Sequence, residues 1–236
     1  MRCFIYLLWK RVEDMKMNKF IRRALIILGL PNSLYLCLRT MPLKKAIRCP
    51  IIVSPFTRFL SLSGTIKVNE EKFGSVRMGF DGLAVAYSKP ICIENDGNIF
   101  IGGHVNFGGG CQLSCRNGAN LIIGTQTKIM GEAKIFCSHH IEIGSGCRVS
   151  WNTQIIDTDF HEIRNVDNEL LNPPAPVIIH DNCWLCSGVK IYKGVEIYQG
   201  CVIAGDASIC KSVNEPNAVV TGMPIRYLRR EIQWIP

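Results

Sequence analysis

A period of six residues constrains this chain more than any other feature. From Ile179, steps of six reach Leu185, Ile191, Ile197, Ile203 and Ile209, one large aliphatic at each step of a single register. Four residues after each stand Cys183, Val189, Val195, Cys201, Ala207 and Val213, all small or β-branched. The register recurs upstream in Ile143, Val149 and Ile155, in Ile123, Ile129, Ile135 and Ile141, and in Ile101, Phe107 and Leu113. A helix repeats about every 3.6 residues and an open strand about every 2. A period of six with one obligate aliphatic describes short strands joined by sharp corners. Each hexad is then one face of a triangular coil, with its aliphatic pointing inward. Gly, Asn and Asp at the bends tolerate positive φ. Three hexads close a coil, and stacked coils pair as parallel strands about 4.8 Å apart. No coil buries its own core, so the array stands only as a stack. The expected fold is all-β, a left-handed parallel β-helix of hexapeptide repeats.

The same register explains the twelve cysteines. Cys111, Cys147, Cys183 and Cys201 each follow a hexad aliphatic by four residues, where a small inward hydrophobe belongs. A reduced, cytosolic state suits them better than a disulfide scaffold. Cys183 and Cys186 have zinc or redox spacing, but no second Cys/His pair at metal spacing accompanies them, and no metal is expected.

Charge is distributed unevenly. Residues 1–50 hold eleven Lys/Arg against Glu13 and Asp14, while the remainder holds sixteen basic against seventeen acidic residues. The N-terminal segment reads as helix with interruptions, stopped at Pro31. Phe20, Ala24, Ile27 and Leu28 fall at helical spacing among Lys19, Arg22 and Arg23, and a second apolar-basic stretch runs from Leu34 to Arg48. Two readings are open for this extension. It either lies on an anionic membrane surface through a basic amphipathic face, or packs over one end of the main domain with its charges solvated. Its longest apolar run, Ala24 to Leu30, is short of the roughly 20 residues that span a bilayer. The opening stretch from Phe4 to Trp9 lacks a small-residue cleavage site, so no secretory leader is expected. The division expected is a basic amphipathic segment over 1–50, lead-in strands capping the helix over 51–90, the β-helix over 91–214 with a loop at 157–176, and a C-terminal cap over 215–236.

The loop is the one large interruption. It carries Asp157, Thr158, Asp159, Phe160, His161 and Glu162, then a polar stretch, then Pro173, Pro174 and Pro176. A repeat array excludes long excursions unless they act or are tolerated at the surface. His161 has carboxylates on both sides in sequence, and carboxylates beside an imidazole raise its basicity and fix its tautomer. A general base that takes a proton from an acceptor hydroxyl or amine needs this. The plainer reading is a surface histidine in an acidic loop.

The residues from Ile91 to Arg230 resemble the hexapeptide-repeat acyltransferases, and within them the galactoside, maltose and xenobiotic acetyltransferase group. Asn182-Cys183-Trp184-Leu185-Cys186 resembles that family's Asn-x-Trp-Ile-Gly turn. Pro216 to Arg226 resembles its closing Pro-x-x-Val-x-x-Gly-x-Pro-x-Arg signature. Asp157 to His161 is similar to the catalytic loop of polysaccharide-modifying members. The resemblance implies an acetyl-CoA-dependent O-acetyltransferase acting on a sugar hydroxyl in surface polysaccharide biosynthesis. His161 would be the general base with Asp159 beside it, and Trp184 and Asp157 would wall the acyl and acceptor pocket. Ser187 and Gly205 would meet the pantetheine arm, and Lys211, Arg226 and Arg229 the CoA phosphates. It further implies a homotrimer whose sites lie between subunits, with a saccharide acceptor that is lipid-linked or nucleotide-linked. The expected location is cytoplasmic, peripheral on the inner face of the cell membrane, with no nucleic-acid partner. The chain departs from the pattern at Cys186, where Gly is usual, and at Cys210, where a small hydroxyl residue is common. N-acetylation of a nucleotide-linked amino sugar would use the same base. A γ-class carbonic anhydrase is a poor fit, because His104, His139, His140, His161 and His180 lack its ligand spacing. A non-enzymatic scaffold would leave the acidic histidine loop without a purpose.

Overall fold

The computed structural model describes residues 19–81 and 89–235. The chain folds as a left-handed parallel β-helix with an N-terminal helical extension. Three sheets run along the stack, one on each face of a triangular prism. The first has nine strands, from Ile51–Val53 to Arg226–Arg229, the second seven, from Arg58–Leu62 to Ser208–Ile209, and the third six, from Thr65–Val68 to Glu196–Ile197. Among the described residues every strand pair is parallel except the last, where Arg226–Arg229 turns back antiparallel on Val219–Thr221 and closes the C-terminal end.

The hexad aliphatics form the core. Ile179, Ile191, Ile197, Ile203 and Ile209 are fully buried and Leu185 nearly so. In the C-terminal coils Leu185 pairs with Ile203 and Ile191 with Ile209, a step of eighteen residues or three hexads. In the middle coils Ile123 pairs with Ile143 and Ile101 with Ile123, steps of twenty and twenty-two, the extra residues lengthening strands and corners. Corners hold residues in the left-handed region, among them Asn182 (φ 55°) and Gly200 (φ 69°). Adjacent coils touch there. A Cβ at Gly144 would sit 2.6 Å from the Asp181 backbone nitrogen, which is why Gly follows the hexad aliphatic Ile143. The inward cysteines behave as hydrophobes: Cys111, Cys147, Cys183 and Cys201 are buried, and burial pushes the Cys111 thiol up to about 12. Cys183 points into the core while Cys186 sits half-buried at the next corner.

The array begins earlier than residue 91. Ile51–Val53, Arg58–Leu62, Thr65–Val68 and Val76–Asp81 are already members of the three sheets, so residues 51–81 are the first coils and no separate lead-in exists there. The capping task falls to the helix α1 (Lys19–Thr40), followed by the single turn α2 (Leu43–Ala46). Leu36, Cys37, Met41 and Ala46 are buried against the end of the stack. The Val53 amide donates to Ser33 Oγ at 2.9 Å, and Asn32 Nδ2 donates to the Pro55 carbonyl at 3.0 Å. Pro31 does not stop α1. It lacks the N–H that would bond the Ile27 carbonyl, yet the helix continues through it on the exposed side, where Ile27 is 65% exposed. Leu36, within the apolar-basic stretch from Leu34 to Arg48, is fully buried, whereas Ile27, Leu28, Leu34, Tyr35 and Leu38 face out. The side chain of Phe20 and all of residues 1–18 lie outside the described residues.

Candidate active site

The excursion at 157–176 leaves the second sheet after Gln154–Ile156 and rejoins the third at Val177–Ile179. It therefore projects from the edge between those two faces. Its own contacts keep it there. Phe160 packs edge-on against Phe136, 5.7 Å between centroids, and lies 5.7 Å from the Arg116 guanidinium. Residues 163–171 double back on themselves, with the Leu171 amide donating to the Ile163 carbonyl at 2.8 Å.

The three carboxylates near His161 in sequence are turned away from its ring. Asp157 does not wall a pocket. It is fully buried at the root of the excursion and accepts the backbone N–H groups of Ser138, His139 and His140 at 2.7–2.8 Å. Asp159 does not face the imidazole either. It binds Lys193 Nζ at 2.6 Å and Asn172 Nδ2 at 2.9 Å, and this ion pair holds its carboxyl below the ordinary carboxylate range. Glu162 pairs with Arg164. His161 is exposed, and among the described residues its ring makes no hydrogen bond.

Its backbone, by contrast, is fixed. The His161 amide donates to the Asp159 carbonyl at 2.8 Å, and Asn172 Nδ2 donates to the His161 carbonyl at 2.8 Å. Asn172 Oδ1 accepts the Ile163 amide, and Lys193 Nζ donates to the carbonyls of Asn172 and Pro173. Sequence reasoning missed Asn172 and Lys193. Nothing in the hexad pattern marks an outward lysine on the next coil as the tie for a loop twenty residues away.

The other expected site residues lie elsewhere on the prism. Trp184 is on the first sheet, 37% exposed, its Nε1 donating to Ser150 Oγ at 3.1 Å. Its ring lies 5.8 Å from that of Trp234, tilted by 43°. Ser187 and Gly205 occupy successive coils at the edge between the first and second sheets, with the Asp206 amide donating to the Ser187 carbonyl at 2.9 Å. A Cβ on Gly205 would meet nothing nearer than that carbonyl, at 3.5 Å, so the position is an open ledge. Arg226 and Arg229 are exposed on the terminal antiparallel strand of the first sheet. Lys211 is exposed beyond Ser208–Ile209, on the same edge as the histidine excursion. One chain thus displays its histidine on the edge opposite the face that carries Trp184. Of the other histidines, His104, His140 and His180 each pair with a different glutamate, Glu70, Glu142 and Glu196.

No protein-family model and no curated protein sequence matches this chain. Solved structures do. The polysialic-acid-specific acetyltransferase NeuO superimposes with a TM-score of 0.57 at 18% identity, covering 79% of this chain and 78% of that one. The two share a fold. The polysialic acid O-acetyltransferase OatWY matches at 24% identity with a TM-score of 0.46, over 79% of this chain and 87% of that one. AntD, an N-acyltransferase from Bacillus cereus solved with dTDP and coenzyme A, matches at 14% identity with a TM-score of 0.42, over 76% and 80%.

Proposed function

We propose that this protein is an acetyl-CoA-dependent acetyltransferase that esterifies a sugar hydroxyl in surface polysaccharide biosynthesis, with His161 as general base. The carrying observation is an imidazole whose ring nitrogens make no hydrogen bond among the described residues, held outward on the excursion that interrupts the regular coils between Gln154–Ile156 and Val177–Ile179. A surface histidine of no purpose would not need its backbone fixed by Asn172, Lys193 and Asp159 together. The fold shared with a polysialic-acid acetyltransferase supports the same reading. In the reaction, His161 takes the proton of the acceptor hydroxyl as its oxygen attacks the thioester carbonyl, and returns that proton to the departing sulfur. The acetyl-CoA chain would lie along the ledge at Ser187 and Gly205, its phosphates met by the exposed cations Arg226 and Arg229 and, from the histidine edge of a neighbouring subunit, by Lys211. No covalent acyl-enzyme is required.

The opposed placement of His161 and Trp184 supports a homotrimer in which the histidine of one subunit completes the site at the tryptophan of the next. Complementation tests this. His161→Ala and Trp184→Ala chains should each be nearly inactive alone. Refolded together at equal ratio they should recover about a quarter of wild-type activity, since random assembly places an intact pair at one site in four. Mixtures as inactive as the parents would contradict a shared site.

The extension is further proposed to hold the enzyme against the cytoplasmic face of an anionic membrane. The outward residues of the extension support this, with Arg23 and Arg39 of α1 and Lys44 of α2 exposed alongside outward apolar side chains. Lys45 and Arg48 are engaged by Glu71, at 2.6 and 3.1 Å, which leaves fewer free cations than the charge count suggests. Liposomes containing anionic lipid should sediment the protein at low salt and release it as salt rises, each free cation contributing about 1 kcal/mol. Protein that stays in the supernatant would make the extension a structural cap alone.

A further inference from the structure

The last residues of the chain do more than end it. After the Arg226–Arg229 strand, the segment from Arg230 to Ile235 runs back over the edge between the third and first sheets. Three contacts hold it there. Arg230 Nε donates to Glu215 at 2.7 Å, the Ile232 amide to the Asn217 carbonyl at 2.8 Å, and Trp234 Nε1 to the Asn182 carbonyl at 2.7 Å. Between this strap and the stacked corners opens a cleft lined by Asn182, Gly200, Asn217, Ile232, Gln233 and Trp234.

Its chemistry is specific. Among the described residues, the side-chain amides of Asn182, Asn217 and Gln233 make no hydrogen bond, so their donors and acceptors are unspent. Trp234 is half-buried and leans on Trp184, so its ring cannot turn freely. Fixed indole faces beside planar amides match a pyranose ring, whose C–H face packs on an aromatic while its hydroxyls meet amide donors and acceptors. Charge narrows the choice. Asp181, Glu215 and Glu231 flank the cleft, and Arg230 is already engaged by Glu215 and stacked 4.9 Å over Tyr227. None of the six residues that line the cleft is a cation that would welcome a carboxylate or phosphate.

We propose that this cleft is a binding subsite for a neutral saccharide, reached across Trp184 from the ledge of Ser187 and Gly205. It would hold a stretch of the acceptor chain while a neighbouring unit is acetylated. That role rests on the acetyltransferase reading; the binding of saccharide does not.

Saturation-transfer NMR on the full chain, without acetyl-CoA, tests the subsite. The neutral probes are maltotetraose and tetra-N-acetylchitotetraose, and the anionic comparator is tetrameric sialic acid. Saturation should reach at least one neutral probe. Its dissociation constant should rise about tenfold in Trp234→Ala and in Gln233→Ala, and much less in Trp234→Tyr. Gln233 makes no side-chain bond, so its variant reports on the amide without loosening the strap. Absence of saturation from both neutral probes, affinity unchanged in both variants, or preference for the sialic acid tetramer would each overturn the proposal. Acetyl-CoA titrated separately distinguishes the two failures. Saccharide bound by a protein that ignores acetyl-CoA keeps the cleft and removes the transferase. Acetyl-CoA bound without saccharide does the reverse.

Discussion

His161→Ala should lower the acetyl-transfer rate by roughly 10²- to 10⁴-fold, the range lost when a positioned general base is removed. Acetyl-CoA affinity and thermal stability should be unchanged. The side chain is exposed and touches no hydrogen-bond partner among the described residues, so its removal opens no cavity and orphans no polar group. Steady-state rates on the acceptor, with a parallel acetyl-CoA titration, measure both parts. A variant that keeps near-full kcat would remove His161 from the chemistry. A variant that loses acetyl-CoA binding would make it part of the cofactor surface instead.

Asp157→Ala should do the opposite, acting on stability first. The Asp157 carboxylate accepts three backbone N–H groups and is fully buried. Truncation leaves those three donors without a partner inside the corner, at about 1–3 kcal/mol for each group left unsatisfied. Neighbouring losses overlap, so the expected total is about 3–5 kcal/mol, a large part of a typical stability of roughly 5–15 kcal/mol. For a chain of this size that lowers Tm by about 10 °C. Asp157→Asn keeps one oxygen acceptor and sets an N–H against a donor, so its loss should fall between wild type and Asp157→Ala. Calorimetry on the three proteins measures this. Because Asp157 anchors the root of the excursion, activity should fall in both variants in proportion to the loosening. A Tm within 2 °C of wild type in Asp157→Ala would show that water or a moved loop replaces the carboxylate.

The two residues sit four positions apart, and their difference shows what the sequence could disclose. The stack was legible from Ile101 to Ile209 because each inward aliphatic repeats the same requirement, and the structure buries every one of them. The first coils were not. The strands at Arg58–Leu62 and Val76–Asp81 shift register against their neighbours between Phe59 and Ser61 and between Met78 and Asp81, and a long corner separates Val68 from Val76. Those irregularities move Leu62, Ile66 and Met78 off the six-residue step while leaving them buried. The excursion itself was legible as a lapse of the period, and its histidine as the residue to watch. The direction of its carboxylates was not. Neighbours in an aperiodic loop carry no rule for which way a side chain turns, and the partners that decided it, Lys193, Asn172 and the amides at 138–140, come from other coils. Trp234 was silent for the same reason, since its contact with Trp184 depends on a strap whose path no repeat dictates.

Transfer of radiolabel from [acetyl-¹⁴C]acetyl-CoA to a panel of oligosaccharides, followed by mild alkali, tests the central claim most directly. Label is expected in a saccharide, dependent on His161, and released by alkali as an ester must be. Label that survives alkali as an amide on an amino sugar, or no label in any saccharide from a protein that fails to bind acetyl-CoA, would contradict it.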